Sequence, residues 1–215
     1  MISWLFIYWS QEPSWKARIQ QEVDGIIARN RTAGETIAEV LGNLTINQWE
    51  TSFPLIELSL RESIRLGLTG SDFRKNVSNQ DIQIGSSGEY LPSGAFAVLQ
   101  LDDVHMNTDI YTDPGIFDPD RFSAARAEDK KFAHAYVGWG SGRHPCPGSR
   151  FAKLEAAIVC AYFVALFEFE RSDAQGCSSN IQTARVDRSA NSVKKPKQPV
   201  YIRYRPRSHI NTPEK

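Results

Sequence analysis

The segment Phe53–Leu66 constrains the fold more than any other part of the chain. At 100° per residue, Phe53, Ile56, Leu60 and Ile64 line one side of a helix, and Leu55, Leu58 and Leu66 line the other. Such a helix is apolar nearly all round and has to be enclosed, yet it carries Glu62 and Arg65 three residues apart. On a surface helix that pair would be a solvated i,i+3 contact worth a few tenths of a kcal/mol. Inside a core, both groups must be fully hydrogen-bonded, and removing one partner costs roughly 3–5 kcal/mol. The phase of the apolar residues predicts the buried form. Glu57 and Arg61, spaced i,i+4 with the acid first, read instead as an ordinary exposed pair.

Enclosing a helix takes a sizeable core, and 215 residues with 41% hydrophobic and 11% aromatic content supply one. Disordered, collagen-like and mucin-like chains are excluded. The 25 basic and 25 acidic side chains cancel, which argues against nucleic acid as a partner. The apolar run Ile2–Trp9 falls well short of the about 20 residues a membrane span needs, and it has no basic leader, so neither an anchor nor a signal peptide is expected. Cys146, Cys160 and Cys177 are odd in number and widely spaced, as reduced thiols are.

Ile2–Trp9 reads as the tail of a helix. After Pro13, Trp15, Ile19, Val23, Ile26 and Ile27 mark an amphipathic helix of about four turns. Residues 30–47 read as a connecting loop with at most a short helix, and a second long helix is expected from about Trp49 to Leu66, ended by Gly67 and Gly70. Ile82–Ile84 and Phe96–Leu101 suggest a small antiparallel sheet, Ser149–Phe167 a long apolar helix, and Val200–Tyr204 one more strand. The Phe151–Phe167 stripe is read as core. Asp102, Asp103, His105, Asp109 and Asp113 are read as structural rather than as a metal site, and the run Lys194–Pro199 as a solvated turn.

One turn stands apart. Trp139-Gly-Ser-Gly-Arg-His-Pro-Cys-Pro-Gly148 sets Cys146 among three glycines and two prolines directly before a helix. Glycine allows close backbone approach, and a helix start offers free N–H groups and a positive dipole end that favour a thiolate. A cysteine packed beneath a loop is the bland alternative. A serine-nucleophile elbow fails, because Trp139 and Arg143 flank Ser141 where glycines are needed. A dinucleotide fingerprint fails because Pro145 occupies its last glycine position. Zinc lacks a second ligand pair beyond His144 and Cys146, so haem ligation is the chemistry left.

Here the sequence resembles the cytochrome P450 family. The family's signature F-x-x-G-x-[RH]-x-C-x-G is matched by Trp139, Gly142, His144, Cys146 and Gly148, with Trp139 in place of the usual Phe. Glu62-Ser-Ile-Arg65 resembles the E-x-x-R motif and Pro119-Asp-Arg-Phe122 the P-E-R-F motif, with Asp120 in place of Glu. The resemblance implies Cys146 as axial thiolate of haem b (iron protoporphyrin IX), His144 and Arg74 at haem propionates, and Glu62, Arg65 and Arg121 as a buried supporting network. The implied fold is mainly α with small antiparallel β elements, the C-terminal half of the P450 fold. Residues 1–207 would form a truncated haem-binding domain and residues 208–215 a tail.

By the same resemblance, the family's activity is oxidoreductase chemistry. One oxygen atom of O₂ enters a small apolar substrate, such as a sterol or secondary metabolite, with electrons from NADPH-cytochrome P450 reductase at the endoplasmic reticulum membrane. Members are roughly twice this length, so the oxygen-activating helix with its acid–alcohol pair is expected to be missing, no catalytic residue is assigned, and haem is expected to bind weakly or not at all. A non-catalytic fragment or interaction module is the competing reading, and a reductase-independent peroxygenase or isomerase a third.

Overall fold

Seven α-helices and three two-stranded antiparallel sheets build the described residues, 1–179, 181–188 and 195–207, of the computed structural model. Helices α1 (Ile2–Gln11), α2 (Pro13–Asn30), α5 (Pro54–Gly67) and α7 (Ser149–Leu166) pack together around one hydrophobic core. Trp9 of α1 is fully buried and donates its indole N–H to Ser59 Oγ on α5 at 3.2 Å. Tyr8 stacks on Phe117 with ring centroids 4.5 Å apart. Ala156, Ala157, Cys160, Ala161, Val164 and Ala165 form the buried face of α7, small side chains that let its backbone approach its neighbours. Among the described residues, no helix is long and apolar enough to cross a membrane.

Several elements differ from the sequence reading. Residues 30–47 hold one complete short helix and the start of another: α3 (Ile37–Gly42) and α4 (Ile46–Thr51). Each begins with a capping box, Thr36 with Glu39 and Thr45 with Gln48. The second long helix starts at Pro54, because proline has no N–H to lose in a first turn. Phe151 at the start of α7 is 70% exposed, so the expected core stripe does not include it. Residues 208–215, and Lys194 of the basic run, lie outside the described residues.

The strands also pair differently. β2 (Ile82–Ile84) joins β3 (Glu89–Leu91) through a turn in which Gly85 and Gly88 adopt positive φ. β4 (Phe96–Gln100) instead pairs with β1 (Ser71–Lys75), in the register Phe73 opposite Val98. β5 (Phe167–Ser172) pairs with β6 (Tyr201–Pro206), placing Glu168 opposite Arg205 and Glu170 opposite Arg203. Both cross-strand couples form ion pairs on the solvent side. α6 (Leu101–His105) follows β4 and turns His105 into the interior.

The start of α5 is capped from another helix. Phe53 gives no side-chain cap and Pro54 has no N–H, so the next two free donors, Leu55 N and Ile56 N, go to the Glu22 carboxylate of α2, at 2.8 and 3.3 Å. Burial pushes the Glu22 carboxyl up to about 7, against the pull of those two N–H groups and of Arg18. The folded chain therefore holds this proton more tightly than the unfolded chain, and the associated stability falls as pH rises from about 4.5 through about 7, by at most about 1.4 kcal/mol per pH unit. Denaturant unfolding of the wild-type chain and Glu22→Gln across this window measures the effect: the difference between the two should change with pH in that direction. A pH-independent difference would contradict the assignment.

Candidate functional site

One turn of α5 separates Glu62 from Arg65, so both side chains emerge on the same face, and both are fully buried. Arg65 grips the carboxylate with two bonds, Nε to Oε2 and Nη2 to Oε1, each 2.8 Å. Arg121 arrives on the short 3₁₀ turn Pro119–Phe122 and donates Nε to Glu62 Oε1 at 3.0 Å, and the Asp118 N–H reaches the same oxygen at 3.0 Å. The remaining donors are also placed. Arg65 bonds the carbonyls of His105 (2.5 Å) and Pro114 (2.8 Å), and Arg121 bonds those of Thr112 (2.9 Å) and Ile116 (3.2 Å).

Glu128 joins the cluster, so that Glu62 and Glu128 balance Arg65 and Arg121, while Arg126, which also bonds Glu128, is balanced by Asp118. The Glu128 carboxylate accepts from Arg121 Nη1 at 2.7 Å, from Thr112 N at 3.1 Å and from Arg126 at 2.6 Å. Burial opposes its charge, but hydrogen bonds from Arg126, Thr112 and Arg121 outweigh it and hold the carboxyl below the usual range. Tyr111 lies between the two guanidinium groups, 4.8 Å from Arg65 and 5.7 Å from Arg121 to its ring centroid, and donates its hydroxyl to Ala135 O. Neither Glu128 nor Tyr111 is singled out by sequence; the only signal is an acid seven residues after Arg121. Glu57 and Arg61 do not pair with each other. Arg61 bonds Asp129 and Glu57 bonds Lys153, each at 2.8 Å, while Arg61 lies over Phe122 and Tyr136.

The segment that follows, from Ala135 to Gly148, leads from this cluster to the cysteine. At Gly138 a Cβ would overlap the Tyr136 hydroxyl and sit 2.7 Å from Ile64 Cγ2, so a larger residue would have to displace the Tyr136 ring and Ile64 of α5. Gly140 and Gly142 have φ of +79° and +88°. The loop closes when Cys146 N donates to Trp139 O at 2.7 Å, and Ser149 N then reaches Cys146 O at 3.3 Å as α7 begins. Cys146 and His144 are exposed, and a Cβ at Gly142 or Gly148 would meet open space. Trp139 packs partly into the core, with its buried indole N–H lacking a partner among the described residues. Cys160 is buried, and burial pushes its thiol far up. Cys177 is exposed on a turn.

The structure thus gathers Glu62, Arg65 and Arg121 into one cluster and Trp139, Gly142, His144, Cys146 and Gly148 into one turn. Arg74 stands apart on β1, mostly exposed, with its guanidinium bonded within its own strand to Asp72 Oδ1 and Phe73 O at 2.8 Å. The acidic residues near His105 stay dispersed: Asp102 lies 3.9 Å from Arg188, and no metal-binding group of three forms among the described residues.

Because two buried cations share Glu62, Glu62→Ala should cost about 3–5 kcal/mol, read as a drop in denaturant midpoint, whereas Glu57→Ala should cost under about 1 kcal/mol. Gly138→Ala should also destabilise the chain, since its Cβ lands on a backbone-anchored ring and on Ile64.

The family model for cytochrome P450 matches residues 1–197. Cytochrome P450 monooxygenase AacuE of Aspergillus aculeatus is 34% identical over 201 residues, covering 92% of this chain and 39% of the relative. Cytochrome P450 monooxygenase nsrP of Aspergillus novofumigatus is 35% identical over 163 residues, covering 75% and 32%. In fold, the chain is similar to the solved structure of retinoic acid bound cyanobacterial CYP120A1, with a TM-score of 0.69, 24% identity, and coverage of 92% of this chain and 40% of that one. The chain therefore spans well under half the length of these relatives. A family model that takes in most of the chain, fungal relatives identical to it at about a third of the aligned positions, and a mainly helical fold with small antiparallel sheets together place this protein in the cytochrome P450 family.

Proposed function

We propose that residues 1–207 form the thiolate side of a haem monooxygenase site, with Cys146 as the axial ligand. The observation that carries this reading is the contrast between the thiols: Cys160 is sealed in the core, whereas Cys146 is exposed on a glycine-built turn that hydrogen bonds and the close contact at Gly138 hold against α5. The residues suit a planar ligand gripped through sulfur. Gly142 and Gly148 leave open space where side chains would otherwise stand, and a soft thiolate is a suitable axial donor for haem iron. Haem bound here would supply activation of O₂: one oxygen atom goes into the substrate, and the other leaves as water with two protons and two electrons.

The chain's own part is binding and orientation. His144, two residues before the ligand and exposed, would bond one propionate, and Arg74 would have to leave Asp72 to reach another. Trp139 sets an aromatic ring at the start of the turn, packed partly into the core. The Glu62–Arg65–Arg121–Glu128 cluster fixes the backbone between α6 and the 3₁₀ turn, upstream of the cysteine turn. Membership in the cytochrome P450 family extends this reading to a small apolar organic substrate, a sterol or secondary metabolite, with NADPH-cytochrome P450 reductase as electron donor at the endoplasmic reticulum membrane.

Absorption after haem addition and reduction tests the assignment. With carbon monoxide, the chain should show the red-shifted Soret band of thiolate ligation, small if haem occupancy is low. Cys146→Ala should abolish the band, and Cys177→Ala should leave it unchanged. No band in the wild-type chain, or one that survives Cys146→Ala, overturns the reading and favours a non-catalytic module.

A further inference from the structure

His105 is fully buried at the end of α6, and the two halves of the site meet on it. Its carbonyl accepts Arg65 Nη1 at 2.5 Å, which ties it to the charge cluster. Its ring nitrogen Nε2 accepts the Val137 N–H at 3.1 Å, which ties it to the segment entering the cysteine turn. From there the bonds run on: Val137 O accepts Gly140 N at 2.9 Å, and Trp139 O accepts Cys146 N at 2.7 Å. Tyr136 packs against the imidazole with centroids 5.4 Å apart.

We propose that His105 is a positioning residue, a neutral strut that transmits the location of the Glu62–Arg65 cluster to the Cys146 turn through the Val137 N–H. The chemistry demands an acceptor at Nε2, so the ring proton resides on Nδ1, and Nδ1 is buried with no partner among the described residues. A buried unpaired donor is unfavourable, a penalty that a purely space-filling role would avoid with an apolar ring. Burial, with Arg65 and Arg188 nearby, lowers the imidazole to about 4, so it remains an acceptor through neutral pH; Asp102 on the same helix pulls the other way without reversing this.

The strut bears on function only through the haem-ligand reading of Cys146, but it can be tested without haem. Amide hydrogen exchange and alkylation of Cys146, with Cys177 as internal reference, are measured on the full chain for wild type, His105→Phe and His105→Gln. Phe keeps a ring but cannot accept, whereas the Gln side-chain carbonyl reaches the place of Nε2. Loss of one net hydrogen bond predicts about three- to tenfold faster exchange across residues 137–146 in His105→Phe, with α2 unchanged and Cys146 alkylated faster relative to Cys177. His105→Gln should restore both readouts. A folded His105→Phe chain with wild-type exchange in this segment overturns the proposal. If that variant fails to fold, the Gln variant decides: retained protection at 137–146 supports the strut, and lost protection refutes it. A missing carbon monoxide band beside a passed exchange test would sink the ligand reading alone.

Discussion

A single carboxylate shared by two guanidinium groups in the interior is the constraint on which the rest of this structure depends. Glu62 cannot face solvent without exposing α5, and it cannot stay inside without Arg65 and Arg121. Arg121 in turn brings an extra charge, which Glu128 neutralises, and both arginines still have donors left over. Those donors are taken up by the carbonyls of His105, Thr112, Pro114 and Ile116, so the segment between α6 and the 3₁₀ turn is held by its backbone rather than by secondary structure. A stretch with few regular elements thereby acquires one geometry.

How much of this is legible in the sequence follows from what each signal encodes. The burial of Glu62 and Arg65 can be read because a helix without a polar face leaves no other place for them, and Pro13 and the turn before Ser149 mark helix starts by local chemistry. The capping boxes at Thr36 and Thr45 are equally local, but each precedes a helix of only six residues, too short for apolar periodicity to declare itself. Strand pairing is less legible. Runs of three to five residues do not choose between neighbours, so β1 and β3 emerge only when the chain is folded. Tyr111 and His105 gain their roles from partners far off in sequence, Glu128 gains its role from a turn that no periodicity marks, and Arg61 forsakes a nearby acid for Asp129, a choice that no spacing rule contains.

The cysteine turn shows why such a charge cluster is useful here. Residues 140–148 are almost wholly exposed and have little apolar surface of their own to bury, so the hydrophobic effect gives this loop no preferred position. Directional contacts have to supply it instead. Gly138 lets the chain come within contact of Ile64 on α5, and the Cys146 N–H closes the loop on Trp139. In the proposed strut, the exposed sulfur takes its position from the buried carboxylate through Arg65, His105 and the Val137 N–H, by hydrogen bonds each worth only about 1 kcal/mol net but directional in a way that apolar packing is not. In the proposed role of Cys146 as a ligand, this division leaves open space in front of the sulfur while directional bonds behind it fix the loop.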